Sequence, residues 1–322
     1  MCHSPISFTS DVLTKPQLAR FVQSSGLDDR GHAEKEVVLT YLLQLLVERG
    51  FIERIVFKGG TCIRKMLLGN RGRFSTDLDF TARTEVADPD GEILALAEVL
   101  AEPFHAIQFQ LDLGNEKEWR SAEGTTWSVY PTYAHGLGTG SIKFEVSLRE
   151  TPILTPSLLA QLPQAYFTHL EFAPANLPCL HESELIAEKL RAAYQRRKAR
   201  DIYDLAVFAT RPRQEALIRK VLVLKLWKVR SSFDPEALDV RLTEKDRYDW
   251  DDLFELIPRR DRETPETFLG RVRRGFSFLG ALNELEAELA ADGAQRRRVT
   301  AEALREECRV WQAPAKSAAA QC

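Results

Sequence analysis

The sequence predicts an α/β (α+β) protein with a mixed sheet in its front half and an all-helical back half. Three observations predict this. Short β-branched or alternating apolar runs fall before about residue 150. Pro156, Pro163, Pro174 and Pro178 interrupt residues 151–180 and mark a connection there. From residue 181 onward, apolar side chains recur at helical spacing. The predicted organisation is residues 1–180 as the mixed domain with N-terminal helices and 181–312 as the helical domain. Residues 313–322, APAKSAAAQC, are predicted to be a disordered tail.

Each element has its own reason. Residues 14–25 and 33–49 read as helices; in the second, Val37, Val38, Tyr41, Leu42, Leu45 and Leu46 repeat with helical period before Gly50 stops it. Ile52 to Phe57 is a short β-branched run ending at Gly59-Gly60, so it reads as a strand. A helix from Thr61 to about Leu68 comes next, with Ile63, Met66 and Leu67 as its apolar stripe. Residues 74–80 read as the next strand, with Phe74, Leu78 and Phe80 on one face and Ser75, Asp77 and Asp79 on the other. Residues 91–102 read as a helix, and 106–113 and 125–133 have partial strand character. Residues 142–148 alternate cleanly between apolar Ile142, Phe144, Val146 and Leu148 and polar Lys143, Glu145 and Ser147. The stretches 181–210, 213–230, 235–256 and 265–292 are helical in pattern, with Leu253, Phe254, Phe268, Val272, Phe276 and Leu279 as core candidates.

Composition narrows the function classes. The 322 residues are 44% hydrophobic and 28% charged, enough apolar material for a sizeable core and too little bias for widespread disorder. Net charge is -3, which excludes a uniformly basic nucleic-acid binder. Residues 1–180 nevertheless carry 16 Lys+Arg against 22 Asp+Glu, while residues 181–322 carry 28 against 25, so the second half is the basic one. The five cysteines are scattered and show no paired spacing, which argues against a disulfide framework or zinc site and fits a reducing compartment. The six histidines have no metal-type spacing either. Neither a signal peptide nor an apolar run of membrane-spanning length is visible. The expectation is a cytoplasmic protein that does not engage a membrane.

The informative stretch is FKGGTCIRKMLLGNRGRFSTDLDF, residues 57–80. Glycines at the junction of a strand and a helix let backbone approach a ligand closely, and the start of a helix suits a phosphate. Lys58, Gly59, Gly60 and Thr61 are therefore the candidate nucleotide-binding residues. Thr61 caps the helix, donates its hydroxyl to a phosphate oxygen, or does both. Asp77 and Asp79, one residue apart on an expected strand, would share a face, and two hard carboxylates at that spacing suit Mg²⁺. Glu145 lies mid-strand in IKFEVSLRE. If its strand neighbours that of Asp79, three acids converge and become the candidate metal ligands, able to hold two ions. Lys143 could instead pair with Glu145.

Gly-Gly-Thr followed by a helix and Asp-x-Asp is similar to the core of the polymerase-β-like nucleotidyltransferase fold. The fuller FKGGT…RFSTDLDF resembles the AbiEii-like (MenT-type) nucleotidyltransferase toxins of type IV toxin–antitoxin systems. The later pattern EKL…R…RDIYDL within residues 181–205 also resembles that family, and the likeness spans about residues 30–210. By physics alone that stretch is an amphipathic helix with basic residues near its C-terminus. The resemblance implies more: that Lys189 contacts a nucleotide phosphate and that Asp201 is needed for activity, alongside Asp77, Asp79 and Glu145 as catalytic acids.

The resemblance implies a Mg²⁺-dependent transfer, with two ions for which Mn²⁺ substitutes. A nucleoside monophosphate passes from an NTP to an acceptor hydroxyl. For this family the implied acceptor is the 3′ end of tRNA, with blocked aminoacylation and a halt to translation, and the implied partner is a cognate antitoxin encoded nearby. Arg196, Arg197, Lys198 and Arg200, with Arg219, Lys220, Lys225 and Lys228, either line a track for an RNA backbone or are ordinary helix-surface charge. The competing readings are transfer to a protein or antibiotic hydroxyl, and an inactive NTP-binding partner.

Overall fold

The computed structural model describes residues 14–27, 29–114, 119–121 and 124–312; the tail at 313–322 lies outside these. The chain forms two compact units. Among the described residues, the first comprises those within 14–151, 157–179 and 254–262, and the second those within 152–156, 180–253 and 263–312.

The first unit begins with α1 (Lys15–Ser25) and α2 (Arg30–Glu48). Thr14 and Gln17 form a reciprocal capping box at the start of α1, and Asp29 caps α2. A 3₁₀ turn, Phe51–Arg54, takes up the first half of the predicted 52–57 strand, and β1 is Ile55–Lys58. Next come α3 (Gly59–Cys62), which runs on into a π-helical turn at Ile63–Leu68, then β2 (Leu78–Ala82) and α4 (Pro89–Leu100). The remaining strands are β3 (Gln108–Gln110), β4 (Trp119–Arg120), β5 (Thr126–Val129), β6 (Thr132–His135), β7 (Gly138–Ser141), β8 (Phe144–Ser147), β9 (Ser157–Leu159) and β10 (Leu177–Cys179).

Seven of them form one mixed sheet in the order β4-β5-β8-β2-β1-β10-β9, and β3-β6-β7 form a second, smaller sheet. β2 pairs parallel with β8 and antiparallel with β1. The proline-broken stretch 151–180, expected to be connection only, supplies β9 and β10 to the sheet edge. β10 contains Pro178 and pairs with both β1 and β9.

Two rows of side chains cross the central strands, and strand pleating puts them on opposite faces. Phe57 opposes Phe80, Phe80 opposes Val146, and Val146 opposes Trp127. These four are buried. Phe57 and Phe80 rings lie 5.2 Å apart, and Phe80 stacks on Phe144 at 4.9 Å. The other row runs Lys58, Asp79, Glu145, Ser128.

The second unit is helical: α5 (Glu182–Gln195), α6 (Ala199–Phe208), α7 (Glu215–Lys228), α8 (Pro235–Arg241), α9 (Trp250–Phe254), α10 (Pro265–Gly275), α11 (Glu284–Ala290) and α12 (Arg298–Gln312). α7 is its central element, packed against α5, α11 and α12. Accordingly Leu217, Val221, Leu222 and Leu226 are buried, and so is Lys225. The stretch 181–210, which reads as continuous helix, is broken at residues 196–198 between α5 and α6. Of the expected core residues here, Leu253, Phe268, Val272, Phe276 and Leu279 are buried, while Phe254 is half-buried. No helix among the described residues is long and apolar enough to cross a membrane.

Candidate active site

The site is built on the polar row of the first unit. Asp79 is the register partner of Glu145 on one side and of Lys58 on the other. Directly paired residues on adjacent strands share a face, roughly 4.8 Å apart across the ladder, so these side chains stand side by side. The glycine turn meets Asp79 directly. Gly59 has φ +77°, and a methyl group at its Cα would sit 2.7 Å from Asp79 Cβ and closer still to the carboxylate. Glycine is therefore required at 59 twice over, by backbone conformation and by the space Asp79 fills. At Gly60 the same space is taken by the Arg73 guanidinium, with Ser75 Oγ 3.1 Å from the added carbon. Arg73 and Ser75 did not stand out as site residues in the sequence, because only folding brings residues 73–75 against the turn.

The helix starts at Gly59, with Lys58 in the cap position and no side-chain cap bond there among the described residues. Thr61 is thus inside the helix, not at its cap. It is fully buried, and its hydroxyl donates to the Asp77 backbone carbonyl. The expectation that it caps the helix or faces a phosphate is corrected: Thr61 ties the glycine turn to the segment that carries the acids. The expected 74–80 strand is also corrected. β2 begins only at Leu78, because Phe74 N–H donates to the Leu256 carbonyl at 2.8 Å and the chain from 74 to 77 runs outside the sheet. Asp77 therefore precedes the strand, and strand period does not set its position relative to Asp79.

Lys143 lies within the field of the three acids. Its backbone carbonyl accepts from Leu78 N–H at 2.9 Å, between the two aspartates, and its ammonium donates to Glu145 Oε2 at 2.6 Å. Ser128 Oγ donates to the same oxygen at 3.1 Å. Burial alone would push the Lys143 ammonium down. The Glu145 hydrogen bond and the charges of Glu145, Asp79 and Asp77 hold it above the ordinary lysine value. One cation thus already sits in the combined field of the three carboxylates. The three acids offer only hard oxygens, the ligand type that a divalent ion such as Mg²⁺ takes. Among the described residues no three His, Cys, Asp or Glu side chains are gathered tightly enough to hold a metal. In this conformation Glu145 is engaged by Lys143 and Ser128.

The turn after the glycines is anchored by buried charge. Lys65 is fully buried and donates to Glu36 Oε1 at 3.1 Å, Thr40 Oγ1 at 2.9 Å and Tyr166 OH at 3.1 Å. Arg64 lies 3.2 Å from the other Glu36 oxygen and stacks over Phe74 at 3.5 Å. Burial would raise the Glu36 carboxyl, but Lys65 and Arg64 outweigh it and hold the group below the ordinary range. Of the predicted apolar stripe, Ile63 and Met66 are buried, and Leu67 is only half-buried.

The second unit holds Lys189, Asp201 and the basic run. Lys189 Nζ lies 3.0 Å from Asp201 Oδ1 and 2.8 Å from Asp204 Oδ2. Arg196 Nε donates to Asp201 Oδ2 at 2.9 Å. Burial would raise the Asp201 carboxyl, yet Lys189 and Arg196 hold it far below the usual carboxylate range. Asp204 was missed in the sequence; it lies one helical turn after Asp201, and that spacing was the available signal.

Most of the expected basic track is committed elsewhere. Arg197 pairs with Glu244, Arg200 with Asp252 at 2.8 Å and Arg219 with Glu286, while Lys220 lies 3.5 Å from Glu286. Lys225 is buried 2.9 Å from Glu184. Lys198, the cap residue of α6, and Lys228 are exposed. The reading of Arg219, Lys220 and Lys225 as an RNA track is therefore corrected: these cations neutralise acids on neighbouring helices.

The profile of the nucleotidyl transferase AbiEii toxin family, type IV toxin–antitoxin system, matches residues 41–271, well over half the chain. The chain belongs to this family. It is similar to MenT4, a nucleotidyltransferase toxin from Mycobacterium tuberculosis H37Rv, at 29% identity over 92% of this chain and 99% of that one, with a TM-score of 0.77. A structure of JHP933 from Helicobacter pylori is similar at 16% identity over 79% of this chain and 95% of that one, but its TM-score of 0.47 carries no argument. No curated protein matches the chain in sequence. This AbiEii chain has the expected mixed α/β nucleotidyltransferase fold, and its family implies an NTP substrate and an antitoxin partner.

Proposed function

We propose that this AbiEii protein transfers a nucleoside monophosphate from an NTP to the 3′-terminal hydroxyl of a tRNA. Aminoacylation would then be blocked and translation would stop. The observation that carries the reading is the pairing of Asp79 with Glu145 beside Gly59, which sets two carboxylates against a glycine-led helix start.

In the proposed reaction the acceptor oxygen forms a bond to the α-phosphorus as the bond to the bridging oxygen of the β-phosphate breaks, and pyrophosphate leaves. Lys58 and Gly59, half-exposed at the start of α3, take the phosphates. Thr61 holds the Asp77 backbone in place beneath them. Asp77, Asp79 and Glu145 would hold Mg²⁺, with Mn²⁺ as a substitute, which when bound supplies charge neutralisation to the triphosphate. Glu145 is also positioned to accept the proton of the attacking hydroxyl once released from Lys143. The family resemblance assigns Lys189 to a nucleotide phosphate, and Asp201 orients it through the 3.0 Å contact. The reading also carries a cytoplasmic site of action and an antitoxin encoded nearby.

The ion-paired state of Arg197, Arg200, Arg219, Lys220 and Lys225 favours a second acceptor, a protein or antibiotic hydroxyl, which needs no long cationic track. One experiment separates the two. Purified protein is incubated with each labelled NTP, Mg²⁺ and tRNA, wild type against Asp79→Ala. Label on the RNA 3′ end that disappears in the variant supports the proposal. Label on protein or drug with RNA untouched replaces the acceptor, and no labelled product with any NTP refutes transfer.

A further inference from the structure

We propose that the Lys143 ammonium is a tethered cation of the acid cluster, competing with a divalent ion for Glu145. The inference rests on the reading of Asp77, Asp79 and Glu145 as the metal-holding set. Three observations carry it. The ammonium donates to Glu145 Oε2 at 2.6 Å, on the residue that registers with Asp79. The Lys143 backbone carbonyl accepts from Leu78 N–H, which fixes the Lys143 backbone beside the residue that separates the two aspartates. The side chain is about one-third exposed, so the ammonium can swing to solvent without disturbing the core.

Like charges held side by side repel unless a cation lies among them. With no divalent ion bound, Lys143 fills that role and holds Glu145 in place. A divalent ion that takes an oxygen of Glu145 must displace the ammonium, and the displaced lysine then remains on a short tether beside the phosphates of a bound nucleotide. The device sets a threshold: with the ammonium in place the acids are electrostatically balanced, and a divalent ion binds Glu145 only by outcompeting it. Arginine at 143 would keep the charge and the threshold, whereas glutamine or methionine would remove it.

The test is Mn²⁺ binding to the nucleotide-free protein, read from the loss of the free-ion paramagnetic resonance signal. It compares wild type, Lys143→Gln, Lys143→Arg and Asp79→Asn. Neutralising one half-exposed ion-pair partner is expected to tighten Mn²⁺ binding by roughly 3- to 10-fold, given the ordinary strength of such pairs. The arginine variant should bind as the wild type does. Thermal denaturation gives a second readout: without metal Lys143→Gln should melt below wild type, and saturating Mn²⁺ should raise its Tm by more. Equal or weaker Mn²⁺ binding by Lys143→Gln, with binding lost in Asp79→Asn, overturns the tethered-cation role and leaves the metal-holding acids intact. Undiminished binding in Asp79→Asn instead overturns the metal-holding set, and the role of Lys143 with it.

Discussion

Asp79 fills the space where a side chain at Gly59 would stand, so the glycine turn and the central acid of the site are shaped against each other. The turn is conformationally special as well, with φ +77° at Gly59. Gly59→Ala is therefore expected to force either the backbone or Asp79 to move. A non-glycine residue held in that region costs about 1–3 kcal/mol of stability. Urea unfolding should show that loss, and nucleotide transfer should fall further than the folded fraction does.

Asp79→Asn keeps the shape of the side chain and removes its charge. Transfer is expected to drop by about 100-fold or more, the scale seen when a preorganised electrostatic group is lost from an active site. The melting temperature should stay near that of the wild type, because Asp79 is not in the core. A variant with full activity and an unchanged NTP dependence would place the chemistry elsewhere.

Buried Glu36 holds Lys65 and Arg64 behind the glycine turn. Glu36→Gln leaves two buried cations with no carboxylate, a change that costs about 3–5 kcal/mol in such settings. Equilibrium denaturation measures it. Lys65→Met should be milder, because the apolar side chain can pack while Arg64 still pairs with Glu36.

The carboxyl of Asp201 is held below its unfolded value by Lys189 and Arg196. A depressed folded value means that the unfolded chain takes up the proton first. The stability that Asp201 contributes is therefore present above the unfolded carboxylate range, near pH 4, and is lost as pH falls through the folded value. Asp201→Asn should accordingly be less stable than wild type by a constant amount between about pH 5 and 7. The gap should narrow below about pH 4. A gap that is flat down to the acid limit would mean that the ion pair adds no stability.

How much of this was legible in the sequence depended on the range of the forces involved. The alternation from Ile142 to Leu148 and the stripe from Val37 to Leu46 are local patterns, and they reappear as β8 and α2. The nomination of Asp79, Glu145 and Gly59 together came from residue types and motif order, while their adjacency depends on β2 pairing with β8, which no local pattern specifies. Asp77 was misplaced onto the strand because the Phe74 bond to Leu256 spans most of the chain. The ion pairs of Lys65 and Arg64 leave no local trace, because their partner, Glu36, lies on another helix. β9 and β10 were invisible for a different reason. Three residues around a proline have no strand signal of their own and are recruited by an existing sheet edge.

The two rows across β1, β2 and β8 have an evolutionary corollary. Acid and aromatic positions alternate along the same backbone, so chemistry and hydrophobic packing share a single phase. Deleting one residue within β2 would interchange them, sending a carboxylate inward and Phe80 outward in one step. Relatives can therefore diverge in these strands by substitution, but an insertion or deletion there would erase activity and folding together.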